Sequence, residues 1–324
     1  MTKLSHYLQL MRISLLPTAW SNVLMGFVLV QGIPEEVTWR DLLIWELGLL
    51  LVISSCLYIS GMVLNDFFDY QQDAIERPGR PIPSGKISRR NAGLLGFGLM
   101  AFAIVVAVIF SMGQGRSGLT IVGATGFVTL ALATAIIFYN AWAKHTIIGP
   151  LAMGLCRALN VLLGGSMVSV LTFKWPILIG IAVYVAGITQ FAKQEHTTSQ
   201  RVNLVLGFSL MLIGIGLIAW YPFSDWFLYD FFNELSAANG KRHKVLFIGL
   251  LTLMIFPIIR KAIVAIGSRQ PGDVKRTVIG SLLTIIVIDA SICYLVAPSI
   301  PAYACFVAAL LFPAFLMTRR IMAT

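Results

Sequence analysis

Charge is what this sequence has least of. Only 12% of its 324 residues are Asp, Glu, Lys or Arg, where a soluble domain carries about a quarter. That scarcity, with 58% hydrophobic residues in long blocks that have no polar face, excludes a soluble globular chain and indicates membrane-spanning helices. Cysteine is also scarce. Cys56, Cys156, Cys293 and Cys305 are scattered through apolar blocks, and no pair has metal-ligand spacing. They read as small buried hydrophobes. There is no low-complexity region and no separate soluble domain, so residues 1–324 are expected to form a single integral-membrane domain. After the first apolar stretch no small-residue cleavage site stands out, so residues 14–31 read as a retained helix rather than a signal peptide.

A spanning helix needs about 17–25 mostly apolar residues. Candidates lie near 14–31, 45–65, 92–112, 118–138, 148–170, 175–194, 202–221, 244–265, 276–297 and 300–317, giving an all-α bundle of nine to ten spans. The last follows "APSIP", whose prolines break a helix. The net charge of +10 would suggest a nucleic-acid partner if its position were ignored. With the N-terminus inside, however, most lysines and arginines fall on the cytoplasmic segments, among them Arg77, Arg80, Lys86, Arg89, Arg90, Arg260, Lys261, Arg269, Lys275 and Arg276. This is the positive-inside pattern. It predicts a cell inner (plasma) membrane protein with a cytoplasmic N-terminus, and no nucleic acid is needed to explain the charge. Residues 222–243, "PFSDWFLYDFFNELSAANGKRH", read as an interfacial segment on the outer face.

Acids are fewer still, and three of the fourteen fall in "NDFFDYQQD", residues 65–73, where the second apolar block ends. Asp66, Asp69 and Asp73 sit at i, i+3 and i+7. If the helix continues past the membrane edge, the three carboxylates share one face. Like charges so placed repel, and a divalent cation removes the repulsion. Mg²⁺ takes one or two carboxylates and completes its shell with water and substrate phosphates. A solvated helix end is the alternative. "ERPGRPIPSGKISRR" then supplies Arg77, Arg80, Lys86, Arg89 and Arg90, bases suited to phosphate. Its prolines and glycines could turn them back over the acids.

Together, N-D-x-x-D-x-x-x-D at 65–73 and "RPIPSG" at 80–85 resemble the paired motif of the UbiA superfamily of membrane prenyltransferases. The resemblance implies a helical bundle around a lipid-open cavity, an isoprenoid diphosphate bound through Mg²⁺, and transfer of the prenyl group to an aromatic or lipid-soluble acceptor. It implies that Asp66, Asp69 and Asp73 are catalytic and hold the metal, that Asn65 assists, and that Arg80 contacts the diphosphate. Phe67, Phe68, Tyr70, Tyr139 and Trp142 are candidate aromatic faces for a carbocation.

The family's second aspartate motif would fall in "GITQFAKQEHTTSQRV", residues 187–202, which contains no aspartate. Glu195 is its only acid. Two readings stay open. Either Glu195 keeps a metal contact while Lys193 and Arg201 bind the diphosphate directly, or the fold has turned to non-catalytic binding or transport of an isoprenoid or aromatic metabolite. Arg157 and Asn160, one turn apart in an apolar helix, are expected to line the cavity, since an intramembrane charge faces a cavity or a partner. Lys144 is a further candidate for the diphosphate and Asn22 for the cavity wall. The intact first motif, the depleted second one and "GPLAMGLCRALNVLLGGS" resemble the EboC-type branch. Asp289, deep in a late apolar block, has no assigned role.

Overall fold

The computed structural model describes residues 3–31, 44–113, 123–166, 174–194, 198–224, 237–297 and 300–322. Among these every regular element is a helix, with no strand. The helices are α1 (Lys3–Leu10), α2 (Leu16–Gln31), α3 (Ile44–Phe68), α4 (Tyr70–Glu76), α5 (Arg89–Gly113), α6 (Gly123–Ala141) and α7 (Gly149–Gly165). They continue with α8 (Trp175–Phe191), α9 (Arg201–Trp220), α10 (Ala237–Ser268), α11 (Pro271–Val296), α12 (Pro301–Ala309) and α13 (Leu311–Met322).

Seven of the described helices are long and apolar enough to cross a membrane. The all-helical membrane bundle expected from the sequence is thus met, and the described residues add three shorter helical stretches to these seven. The helices at 149–165, 175–191 and 301–322 are shorter, the last broken at Leu310 into α12 and α13. Spans also begin earlier than hydropathy suggests. α5, α10 and α11 start with basic or polar residues that can reach the interface along their own stems. The interfacial segment expected at 222–243 lies mostly outside the described residues, and its last residues open α10.

In lipid, apolar side chains gain little by leaving one apolar medium for another, so helix contact depends on close backbone approach. Two glycine seams provide it. Gly26 on α2 meets the Val161 carbonyl of α7, and Gly164 on α7 meets the Val23 carbonyl of α2, so no Cβ fits at either position. On α8 and α9, Gly187 faces Met211 and Gly207, while Gly214 faces Tyr184 and Gly180. α2 thus becomes a central post with α3, α7 and α11 packed around it. We expect Gly164→Leu to lower stability by about 3 kcal/mol or more, since the neighbour that must move is backbone. Thermal unfolding in detergent, followed by the fraction surviving size exclusion, measures this. An unchanged melting temperature would show that the seam can spread.

Candidate functional site

α3 carries the site from the membrane interior to its edge. Leu57, Tyr58, Gly61, Met62 and Asn65 repeat at helical spacing and form one wall of a cavity of about 160 Å³. α7 contributes Met153, Cys156, Arg157 and Asn160, again a single face, and α6 contributes Leu132, Ile136, Tyr139 and Asn140. Arg12 and Ala19 complete the lining.

At the mouth α3 does not stop where the apolar residues do. Asp69 N–H donates to Asn65 O at 3.0 Å and Asp73 N–H to Asp69 O at 2.8 Å, so the helical path runs through the junction of α3 and α4. The three aspartates are nevertheless not equivalent. Asp66 Oδ1 accepts from Arg12 Nη2 and from Arg80 Nη1, both at 3.1 Å. The same Arg80 nitrogen donates to Asp73 Oδ2 at 2.6 Å, and Arg77 lies 3.8 Å from Asp73. Asp69 turns the other way, to Lys144 Nζ at 2.6 Å, with His145 at 3.7 Å. Burial pushes the Lys144 ammonium below the ordinary lysine value, and its bond to Asp69 opposes that shift.

The loop that delivers Arg80 explains its sequence. Ile82 and Ile87 are buried in a small cluster with Leu10, Val63 and Ala92, which pins the loop to the bundle. Ser84 closes back on the Arg80 carbonyl through its N–H (3.0 Å) and its Oγ (2.6 Å). Gly85 has φ +73°, a conformation that only glycine adopts without strain. Arg80 is therefore held over the acids by two buried isoleucines and a turn.

Arg12 is the residue that sequence reasoning missed. It sits in the left-handed region, φ 46°, between α1 and α2, and its carbonyl accepts from Tyr58 Oη at 3.1 Å. No local signal marks it, since its partner lies 54 residues away. Asn140 was also missed. Its Oδ1 accepts from Asn65 Nδ2 at 3.0 Å and its Nδ2 donates to Gly61 O at 3.2 Å, which fixes Asn65 at the mouth.

Other expectations land differently. Asn160 and Arg157 line the cavity. Asn22 is fully buried behind Arg157 rather than on the wall, with its Oδ1 accepting from Arg157 Nη1 at 3.2 Å. The polar side chain points away from the lumen because a buried guanidinium needs that acceptor more. Of the candidate aromatics Tyr139 alone lines the cavity. Phe67 packs edge-on against Phe68 and Phe97 under the Arg89 guanidinium, Tyr70 also lies beneath Arg89, and Trp142 stacks outside on Phe138. Lys193 and, at the start of α9, Arg201 are both exposed, and neither pairs with Asp66, Asp69 or Asp73. Glu195 lies outside the described residues.

The donor set suits a hard divalent cation, because it offers carboxylate oxygens with no thiolate. Among the described residues no three acidic, histidine or cysteine side chains already converge as a metal cage. Asp66 and Asp73 come nearest, both within hydrogen-bond distance of one cationic nitrogen. Residues that fit Mg²⁺ are thus present, with Arg80 standing between two of them.

Residues 15–198 match the model of the UbiA prenyltransferase family. A digeranylgeranylglyceryl phosphate synthase of Methanothermobacter thermautotrophicus is 34% identical over 108 residues, 33% of this chain and 34% of that protein. One from Metallosphaera sedula is 36% identical over 121 residues, 37% and 39% of the two chains. The aligned part thus spans about a third of these curated relatives. In structure, the chain resembles a UbiA homolog from Aeropyrum pernix K1 with a TM-score of 0.59 at 17% identity, over 87% of this chain and 97% of that one. It also resembles a UbiA homolog from Archaeoglobus fulgidus bound to GPP and Mg²⁺, with a TM-score of 0.55 at 16% identity over 94% and 99%. At such identities the likeness is one of fold, and it extends through the C-terminal helices that the family match leaves out.

Proposed function

This chain belongs to the UbiA prenyltransferase family, and from that membership we propose that it transfers a prenyl group from an isoprenoid diphosphate to an aromatic or lipid-soluble acceptor. The observation that carries the reading is the pairing at the cavity mouth. Each acid of Asp66, Asp69 and Asp73 is held by a base of the kind that grips phosphate. Arg12, Arg80 and Lys144 could each release a carboxylate and take a diphosphate oxygen, leaving the carboxylates to a metal. The relatives' names and the GPP and Mg²⁺ in the Archaeoglobus protein support the same reading.

Asp66 and Asp73 would hold Mg²⁺, with Asp69 beside them. When bound, Mg²⁺ would neutralise charge gathering on the departing diphosphate. The remaining work falls to the chain. Arg80 and Arg12 orient the diphosphate at the mouth, and Lys144 reaches it from the turn between α6 and α7. The apolar wall of Leu57, Leu132, Ile136 and Met153 takes the prenyl chain and keeps water from the allylic carbon. The C–O bond breaks with its electron pair leaving on the diphosphate. The acceptor nucleophile bonds to that carbon and gives up a proton. The basic loops support the reading that this mouth faces the cytoplasm from the inner membrane.

Transfer of label from prenyl diphosphates of several lengths into lipids of the native host membrane tests the proposal. A labelled product that forms with Mg²⁺ and disappears with a chelator is the expected result. Folded protein that yields no product with any donor length would favour binding or transport, the reading that the aspartate-free stretch at 187–202 otherwise invites.

A further inference from the structure

The proposed reaction uses the bases at the mouth and leaves a second cation unexplained. Arg157 lies eight residues into α7, about 12 Å along the axis from its first turn. It lines the cavity at only 9% exposure. Its direct partners are neutral. Nη1 donates to Asn22 Oδ1 at 3.2 Å and Nη2 to Thr18 Oγ1 at 2.9 Å. Among the described residues no carboxylate touches it. A guanidinium at membrane depth without a direct counterion is costly, and two bonds leave most of its five donors unused.

Its counter-charge stands one residue away. Asp289 on α11 is fully buried, and its Oδ2 accepts from Asn22 Nδ2 at 2.8 Å and from Ser21 Oγ at 2.6 Å. Its Oδ1 has no hydrogen-bond partner. The chemistry fixes the amide between them. A carboxylate only accepts and a guanidinium only donates, so Asn22 satisfies both in a single orientation. Turning the amide over would set oxygen against oxygen and N–H against N–H. Asp289 therefore dictates which face Asn22 shows to Arg157, and so holds the guanidinium against the wall.

We propose that Arg157 receives an oxyanion of the acceptor, a carboxylate or a phosphate, and that Asp289 is a positioning residue that aims Arg157 through Asn22. The inference rests on the reading that the donor diphosphate sits at the mouth. The arrangement suits an acceptor rather than the donor. Arg157 is separated from Lys144 by the first two turns of α7, and the wall between is apolar, with Met153 and Cys156 on that face. The bound oxyanion would be the direct counterion that Arg157 lacks. With Asp289 already balancing Arg157, it also adds net negative charge near the site where an allylic cation develops.

The test uses the purified full chain in detergent and two oxyanion probes, each against a neutral counterpart. These are 4-hydroxybenzoate with 4-hydroxybenzamide, and decyl phosphate with decanol. Binding of GPP with Mg²⁺ is measured in parallel. Wild type should prefer at least one oxyanion to its counterpart by roughly tenfold or more. The pair that shows the preference tells an aromatic carboxylate from a lipid phosphate. Arg157→Gln should abolish the preference and Asp289→Asn should reduce it severalfold, while GPP binding stays within roughly twofold of wild type. Asn22→Ser cuts the link and keeps both charged groups, so it decides the matter should Asp289→Asn not fold. Equal binding of both members of both pairs to wild type would overturn the proposal. So would full preference in folded Asp289→Asn or Asn22→Ser, or a loss of GPP binding in Arg157→Gln that matches the loss of oxyanion binding. Failure of GPP to bind wild type with Mg²⁺ would instead overturn the transferase reading, and the oxyanion preference would stand or fall separately.

Discussion

Asp69→Asn should lower Mg²⁺-dependent prenyl transfer by about 10²–10³-fold and leave the protein folded. Asp69 is the acid whose loss the bundle tolerates best. It stands at the N-terminal boundary of α4 but makes no side-chain capping bond there, so asparagine takes nothing from that helix end. It is also the most exposed of the three, at 17% of its side chain against 6% for Asp66 and 3% for Asp73. Its chief partner, Lys144, keeps a contact with the Asn65 carbonyl at 3.4 Å and remains available for a phosphate oxygen. Binding of the donor should therefore persist while turnover falls, so the loss appears in kcat rather than KM. Labelled transfer and thermal unfolding, run side by side, measure the two halves. Near-normal turnover would remove the first motif from the chemistry. A collapsed melting temperature would assign Asp69 to the fold.

Arg80→Ala should act on stability first. It leaves Asp66 and Asp73 facing each other, both nearly buried, with Arg12 and a more distant Arg77 as their remaining cations. Removing one partner of a buried pair costs on the order of 3 kcal/mol, because an uncompensated charge stays behind. Transfer should also fall, since a diphosphate contact is lost. The distinguishing result comes from Mg²⁺ alone. In the wild type Arg80 stands where a cation would bridge the two carboxylates. In Arg80→Ala that position is open, so Mg²⁺ should raise the variant's melting temperature more than it raises that of the wild type. Equal shifts in the two proteins would mean that Asp66 and Asp73 do not share a metal.

Much of this was legible in the sequence because it is local. The spacing of Asp66, Asp69 and Asp73 needs only a helix that outlasts its apolar residues, and "RPIPSG" states its own turn through Ser84 and Gly85. Arg157 and Asn160 declare a cavity by being polar in an apolar run. What stayed hidden depends on partners far along the chain. Nothing near Asp289 says that residues 21 and 22 will bond it, 268 and 267 residues away. Nor does the neighbourhood of Arg12 reveal a left-handed turn, which for arginine is set by the tertiary contacts of Tyr58 and Asp66. Hydropathy leaves the span count at nine to ten because it counts apolar residues and cannot tell a full crossing from a short helix such as α8 or the broken pair α12–α13. The separation of Asp69 from its two neighbours was equally unreadable. Helical spacing puts three carboxylates on one side, but Lys144, arriving from the far end of α6, decides which way one of them leans.

The Arg80 bridge makes the mouth a coincidence detector. A lone anion that draws Arg80 away strands two carboxylates with too little positive charge. A lone Mg²⁺ that enters between them strands the guanidinium. Only a metal and a diphosphate arriving as a unit satisfy every group at once, so each component should bind poorly alone and well in the other's company. The same requirement governs departure. On the proposed reaction, the diphosphate and its metal would leave together once the prenyl chain had been handed on, and Arg80 would return between Asp66 and Asp73 to reset the site.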